Sequence, residues 1–219
     1  MCLAMAGRES EVSNGDLRMM NQKNSTGHSV NQEERRAYFV FHQLGLSAAA
    51  LRRLLEIFGS AEGLLAAGRA KGISGQGLSP ADKMLDILWK DNHCIERWLD
   101  DYDKAHKRGW RFLLGKELAG VLGALTQDDF PIALWVAGSL DLRVLSHPAV
   151  AIVGARRATP YGVTVAEKLA RELAQLGVIV ISGLAYGVDT VSHRATLKAG
   201  GATVAVLGTG LDVFYPRTN

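Results

Sequence analysis

From Val150 to Asn219 the chain alternates between two kinds of apolar spacing. Val150-Ala151-Ile152-Val153, Val178-Ile179-Val180-Ile181 and Thr203-Val204-Ala205-Val206-Leu207 are short unbroken runs, rich in β-branched residues and bounded by glycine. Runs of that kind read as strands covered on both faces. Between the first two, Ala166, Leu169, Ala170, Leu173 and Ala174 recur at helical spacing and stop at Gly177. A second helix is predicted from about Val188 to Ala199, with Val191 and Ala195 inward and Gly200-Gly201 at its end. Strand–helix–strand–helix–strand implies right-handed crossovers and a parallel sheet. Three glycine-bearing turns then leave one carboxyl edge, at Gly154–Thr159, Ser182–Gly187 and Gly208–Asp212. In open α/β sheets that edge is where ligands bind.

Upstream the spacing is helical. Asn31 stands as a cap with Glu34 three residues on, a capping-box variant, and Ala37, Val40, Phe41 and Leu44 mark one face. Ser47 caps a second helix with Leu51, Leu54, Leu55 and Phe58 inward, and Ser60 opens a short third. The turns between them are short enough to force hairpins. Gly72 to Gly77 reads as a linker, and Ser79-Pro80 opens a long helix whose apolar face includes Ile95, Trp98, Leu99 and Tyr102, with a break near Asn92. Trp110–Leu114 and Ile132–Val136 read as strands at the start of the α/β region. Met1 to about Val30 is rich in Asn, Ser and Gly and reads as a disordered leader. The expected organisation is a leader over 1–30, a small helical domain of SAM or helix-hairpin type over 31–108, and an α/β domain over 109–219.

Charge sharpens this division. Residues 151–219 carry 7 Lys or Arg against 4 Asp or Glu, whereas residues 1–150 carry 18 against 18, so the whole net charge of +3 lies with the glycine turns. An anionic partner follows modestly from that excess. Two cysteines, Cys2 and Cys94, are too few and too far apart for a zinc spacing, and a reducing cytoplasm is the expected setting. No apolar run approaches the ~20 residues of a membrane span.

The turns themselves exclude two ligand classes. The first is not G-x-G-x-x-G, no Walker-type G-x-x-x-x-G-K-[ST] occurs, and the second strand ends in Ser182 rather than an acid. Dinucleotide and Walker-type nucleotide binding are therefore disfavoured. What remains is backbone N–H groups at helix N-termini, which favour anions, with Arg156 and Arg157 beside them. A guanidinium fork matches phosphate, and a repeated phosphate backbone would use several turns at once. The candidate phosphate-binding residues are Gly154, Arg156, Arg157, Thr159, Ser182, Gly183, Ala185, Gly187, Gly208, Gly210 and Arg217. Neither a catalytic residue, a metal ligand nor a cofactor is assigned.

Three strings in order resemble the signatures of the DprA/Smf DNA-processing family. They are Ala151-Ile152-Val153-Gly154-Ala155-Arg156-Arg157-Ala158-Thr159-Pro160-Tyr161-Gly162, then Ser182-Gly183-Leu184-Ala185-Tyr186-Gly187-Val188-Asp189 with Ser192-His193, then Gly208-Thr209-Gly210-Leu211-Asp212-Val213-Phe214-Tyr215-Pro216. The resemblance implies a Rossmann-like, mostly parallel sheet preceded by a small helical domain. It also implies single-stranded DNA binding and the loading of a RecA-type recombinase in DNA uptake and natural transformation, without catalysis. In the full-length family it implies self-association as a homodimer. Ser192 departs from the family's usual alanine, and the chain stops at Asn219, so the sheet is expected to be incomplete and truncated at its C-terminus.

Several residues carry two readings. Asp189 and His193 share a helix face, either as an acid–base pair or as a helix-terminal charge with a satisfied histidine. Tyr161, Tyr186 and Tyr215 either stack a base or pack the turns. Arg52-Arg53 is either a DNA contact or a solvated surface. His93, Cys94 and His106 read as ordinary helix positions. The alternative function is an enzyme or sensor for a nucleotide or nucleotide derivative, built on a related Rossmann-like sheet.

Overall fold

A computed structural model of the chain describes residues 2–6, 30–69, 92–115, 117, 132–139, 141, 146–213, 215 and 216. The chain divides into two compact units, one of Ser29–Leu118 with Leu125–Leu134, the other of Met1–His28, Ala119–Ala124 and Trp135–Asn219. The described strands are β1 (Cys2–Ala6), β2 (Arg111–Leu114), β3 (Ala133–Gly138), β4 (Ala149–Ala151), β5 (Ile179–Ser182) and β6 (Thr203–Leu207). The helices are α1 (Gln32–Gln43), α2 (Ala48–Phe58), α3 (Ala61–Arg69), α4 (Asn92–Lys107), α5 (Pro160–Gln175) and α6 (Val188–Lys198). Among the described residues no helix is long and apolar enough to cross a membrane.

In the helical unit Asn31 caps α1, its Oδ1 accepting from the Glu34 N–H at 2.6 Å, and Ser47 caps α2 in the same way at 3.2 Å. The capping box is not reciprocal. The Glu34 carboxylate instead accepts from the N–H groups of Ala61 and Glu62 (3.1 and 2.9 Å), so one acid ties the start of α3 to α1. Val40, Phe41, Leu51, Leu54, Leu64 and Ile95 close one core. Phe112 of β2 joins Phe39 and Tyr102 edge-on, and Arg35 holds both the Phe112 carbonyl and the Glu117 carboxylate. This unit therefore runs past the expected boundary at 108. Arg52 and Arg53 are exposed. The Gly72–Gly77 linker and the Ser79-Pro80 helix start lie outside the described residues.

The strands follow the order β2-β3-β1-β6-β5-β4. β4, β5 and β6 are parallel, as the alternation of runs and helices predicts, with Val150 opposite Val180 and Ile181 opposite Val204. Two expectations fail. Residues 2–6 are not part of a disordered leader: β1 lies inside the sheet, parallel to β3 and antiparallel to β6, with Met5 buried. Five consecutive apolar residues can bond on both sides wherever two strand edges stand open, and the polar composition belongs to the residues after them. β4 is not covered on both faces, for it is an edge strand and all three of its residues are exposed. On α5 the buried stripe is Ala166, Ala170 and Ala174, small enough for α6 to approach closely, while Leu169 is exposed.

Candidate nucleic-acid interface

After β4 the first turn runs to Thr159, whose Oγ1 accepts from the Gly162 N–H at 3.1 Å and caps α5, with Pro160 in its first turn. Arg156 and Arg157 are exposed on this turn, and among the described residues neither guanidinium has an ion-pair partner. The second turn enters α6 through Gly187 at φ 79°, with no side-chain cap from that residue. Asp189, in the first turn of α6, instead reaches back to the loop, its Oδ2 accepting from the N–H groups of Gly183 (3.1 Å) and Ala185 (3.3 Å). Between them Leu184 sits at φ 57°, a left-handed conformation that a branched residue takes only when its surroundings impose it. Gly208 and Gly210 are exposed on the third turn, and a Cβ at Gly208 would meet open space.

The glycines fit the first two turns to each other. A Cβ on Gly154 would lie 2.6 Å from the Val188 side chain, and one on Gly187 would strike the carbonyls of Ala155 and Arg156. The Val188 N–H donates to the Ala155 carbonyl at 3.3 Å across the same junction. Gly187 is thus the seat on which the arginine-bearing turn rests.

The predicted site residues separate accordingly. Arg156, Arg157, Gly208 and Gly210 face solvent at the carboxyl edge. Ser182 is buried and donates its hydroxyl to the Ile152 carbonyl at 2.7 Å, which ties β5 to the first turn. Gly183 and Ala185 have their amides committed to Asp189, and Thr159 is occupied in capping. Arg217 lies outside the described residues. Tyr186 and Tyr215 meet edge to face, centroids 5.7 Å apart, while remaining 44% and 46% exposed, so packing and an open ring face coexist. Tyr161 is exposed, as is Asp212 beside Gly210.

Thr203 is the residue that sequence reasoning missed. It donates its hydroxyl to the Val180 carbonyl at 2.7 Å and meets His193 Nδ1 at 2.7 Å. A threonine opening an otherwise apolar run was the available signal. Burial pushes the His193 pKa below the usual imidazole value, against the opposing pull of the Asp189 charge. Among the described residues no group of three or more His, Cys, Asp or Glu is placed to hold a metal.

Residues 119–219 match the family model for DNA recombination-mediator protein A. This segment is similar to that family in sequence. DNA processing protein DprA of Streptococcus pneumoniae is 47% identical over 91 residues, which is 42% of this chain and 31% of that protein. Protein Smf of Escherichia coli is 41% identical over 93 residues, 42% of this chain and 24% of that protein. The X-ray structure of DNA processing protein A from Streptococcus pneumoniae superposes with a TM-score of 0.57 at 26% identity, over 88% of this chain and 62% of that one. The chain spans about a third or less of the curated relatives it matches. All three glycine turns lie within the matched mediator segment, and the fold is that of the solved DprA structure.

Proposed function

We propose that the mediator segment binds single-stranded DNA along the edge formed by its three turns and acts in recombination by presenting that strand to a RecA-type recombinase. The observation that carries the reading is the pair of exposed arginines, Arg156 and Arg157, on a turn whose backbone is fixed by Gly154 and Gly187. A preorganised guanidinium clamps phosphate with little ordering cost. The exposed faces of Tyr186 and Tyr215 suit bases that are free to unstack, which favours single strands and makes sequence matter little. The names of the relatives, DNA processing protein and recombination mediator, agree with this assignment. Recombinase loading, homodimer formation, a cytoplasmic setting and a non-enzymatic role belong to the same proposal.

Arg156→Ala should weaken oligonucleotide binding by about 1–3 kcal/mol, the range for removing a charge-assisted bond. It should also flatten log K against log salt by about 0.7 for each phosphate that the variant no longer neutralises. A folded variant with wild-type affinity and salt slope would refute the phosphate clamp.

A further inference from the structure

The even balance of charge over residues 1–150 conceals an uneven distribution. From Lys104 to Lys116 the chain holds five Lys or Arg, one His and no Asp or Glu. Helix α4 ends inside this stretch, and its end is firmly closed. The Gly109 N–H donates to the His106 carbonyl at 2.9 Å and the Trp110 N–H to the Ala105 carbonyl at 3.2 Å, with Gly109 at φ 79°. That pair of bonds is a Schellman closure. Two residues on, Phe112 is buried against Phe39 and Tyr102, so the backbone is held on both sides of Trp110.

On this corner Lys107 and Arg108 are exposed, and Arg108 Cζ lies 5.3 Å from the ring centroid of the half-buried Trp110. The acids near it in sequence are already engaged. Asp100 and Asp101 pair with Lys104 at 2.6 and 3.6 Å, Asp103 with Arg36 at 3.1 Å, and Glu117 with Arg35. Among the described residues neither Lys107 nor Arg108 has an ion-pair partner. The macrodipole of α4 favours cations in its last turn, but Trp110 and Arg111 lie past its end. Two uncompensated cations on a fixed turn suit phosphates, and an indole backing a guanidinium offers a flat surface to an unstacked base. A duplex, whose bases stay stacked, would use the cations alone.

We propose that Lys107, Arg108 and Trp110 form a second contact for single-stranded DNA, on the helical unit and made of residues other than those of the three turns. The inference rests on the DNA reading above and extends it to a unit that the balanced charge of residues 1–150 leaves without a role. The two cations take phosphates of the strand, and a base stacks on the Arg108–Trp110 pair.

Anisotropy titrations of the whole chain test this with a labelled oligothymidylate of about 40 nucleotides, more than two contacts of roughly 4–16 nucleotides each need. Lys107→Ala/Arg108→Ala, shown folded by circular dichroism, should flatten log K against log salt by about 1.4, from about 0.7 for each of two phosphates. Over a fourfold rise in salt the wild type then loses about sevenfold more affinity than the variant does. Lys107→Arg/Arg108→Lys should restore the slope. Arg52→Ala/Arg53→Ala removes the same charge from the same unit and should leave the slope unchanged. Equal flattening by the two alanine pairs would reduce the effect to net charge and overturn the proposal. A wild-type slope in Lys107→Ala/Arg108→Ala, with Arg156→Ala still flattened, overturns the second contact and leaves the DNA reading standing. No saturable binding by the wild type removes the DNA reading, and the second contact with it.

Discussion

Gly187 and Gly200 share a positive φ, 79° and 80°, and have opposite surroundings. An alanine at either position is strained by the positive φ alone. At Gly200 the added methyl meets nothing within 4 Å, whereas at Gly187 it strikes the first turn. Gly187→Ala should therefore lose about 1–3 kcal/mol more than Gly200→Ala in urea denaturation, the usual range for overpacking. It should also lose DNA affinity, because Arg156 rides on the displaced backbone. Equal losses in the two variants would show that the turns separate freely and that Gly187 is no seat. The sequence marks Gly154 and Gly187 as places of close approach without saying what approaches. Here it is the neighbouring turn. Ser182, Gly183 and Ala185 were opaque for the same reason: a hydroxyl or an amide does not announce its partner, and theirs are Ile152 and Asp189.

α6 carries its polar groups on its buried side, with Asp189, Ser192, His193 and Thr196 all inward. Buried polar groups stabilise such a helix only where they are matched, and Asp189 Oδ1 and His193 Nε2 have no hydrogen-bond partner. His193 makes that condition depend on pH. An unfolded histidine titrates near 6.5 and the folded one lower, so below that value the unfolded chain binds more protons. Stability should fall as pH drops through about 6.5 toward the folded value. His193→Gln should remove that part of the acid sensitivity, which urea midpoints compared at about pH 7.5 and pH 5.5 will register. Other elements were plainer. β5, β6, α5 and α6 could be read because continuous β-branched runs and alanine-rich periodicity lie between glycines. The exposure of β4 could not, because strand order, not composition, decides which run becomes an edge.

At the scale of the whole molecule, the helical unit depends on residues that a boundary at 108 would discard. Arg35 reaches Phe112 and Glu117, and Phe112 packs with Phe39 and Tyr102. A piece covering residues 29–134 should melt cooperatively, and one covering 31–108 should melt earlier or without cooperativity, as calorimetry would show. Equal melting would mean that the four helices suffice. The other unit has a different constraint, set by β1. Gly138 lets this strand pass so close that a side chain there would run into the Met5 carbonyl, and Cys2 pairs with Leu207. This strand thus has one neighbour that is made some 130 residues later and another some 200 residues later. At roughly 5–20 residues per second, it waits on the order of ten seconds or more for its second partner. Its pairings are among the most non-local a chain of this length can make, and such pairings close late. Synthesis order therefore favours the helical unit as the first to form, with β1 held in reserve until β6 has been made.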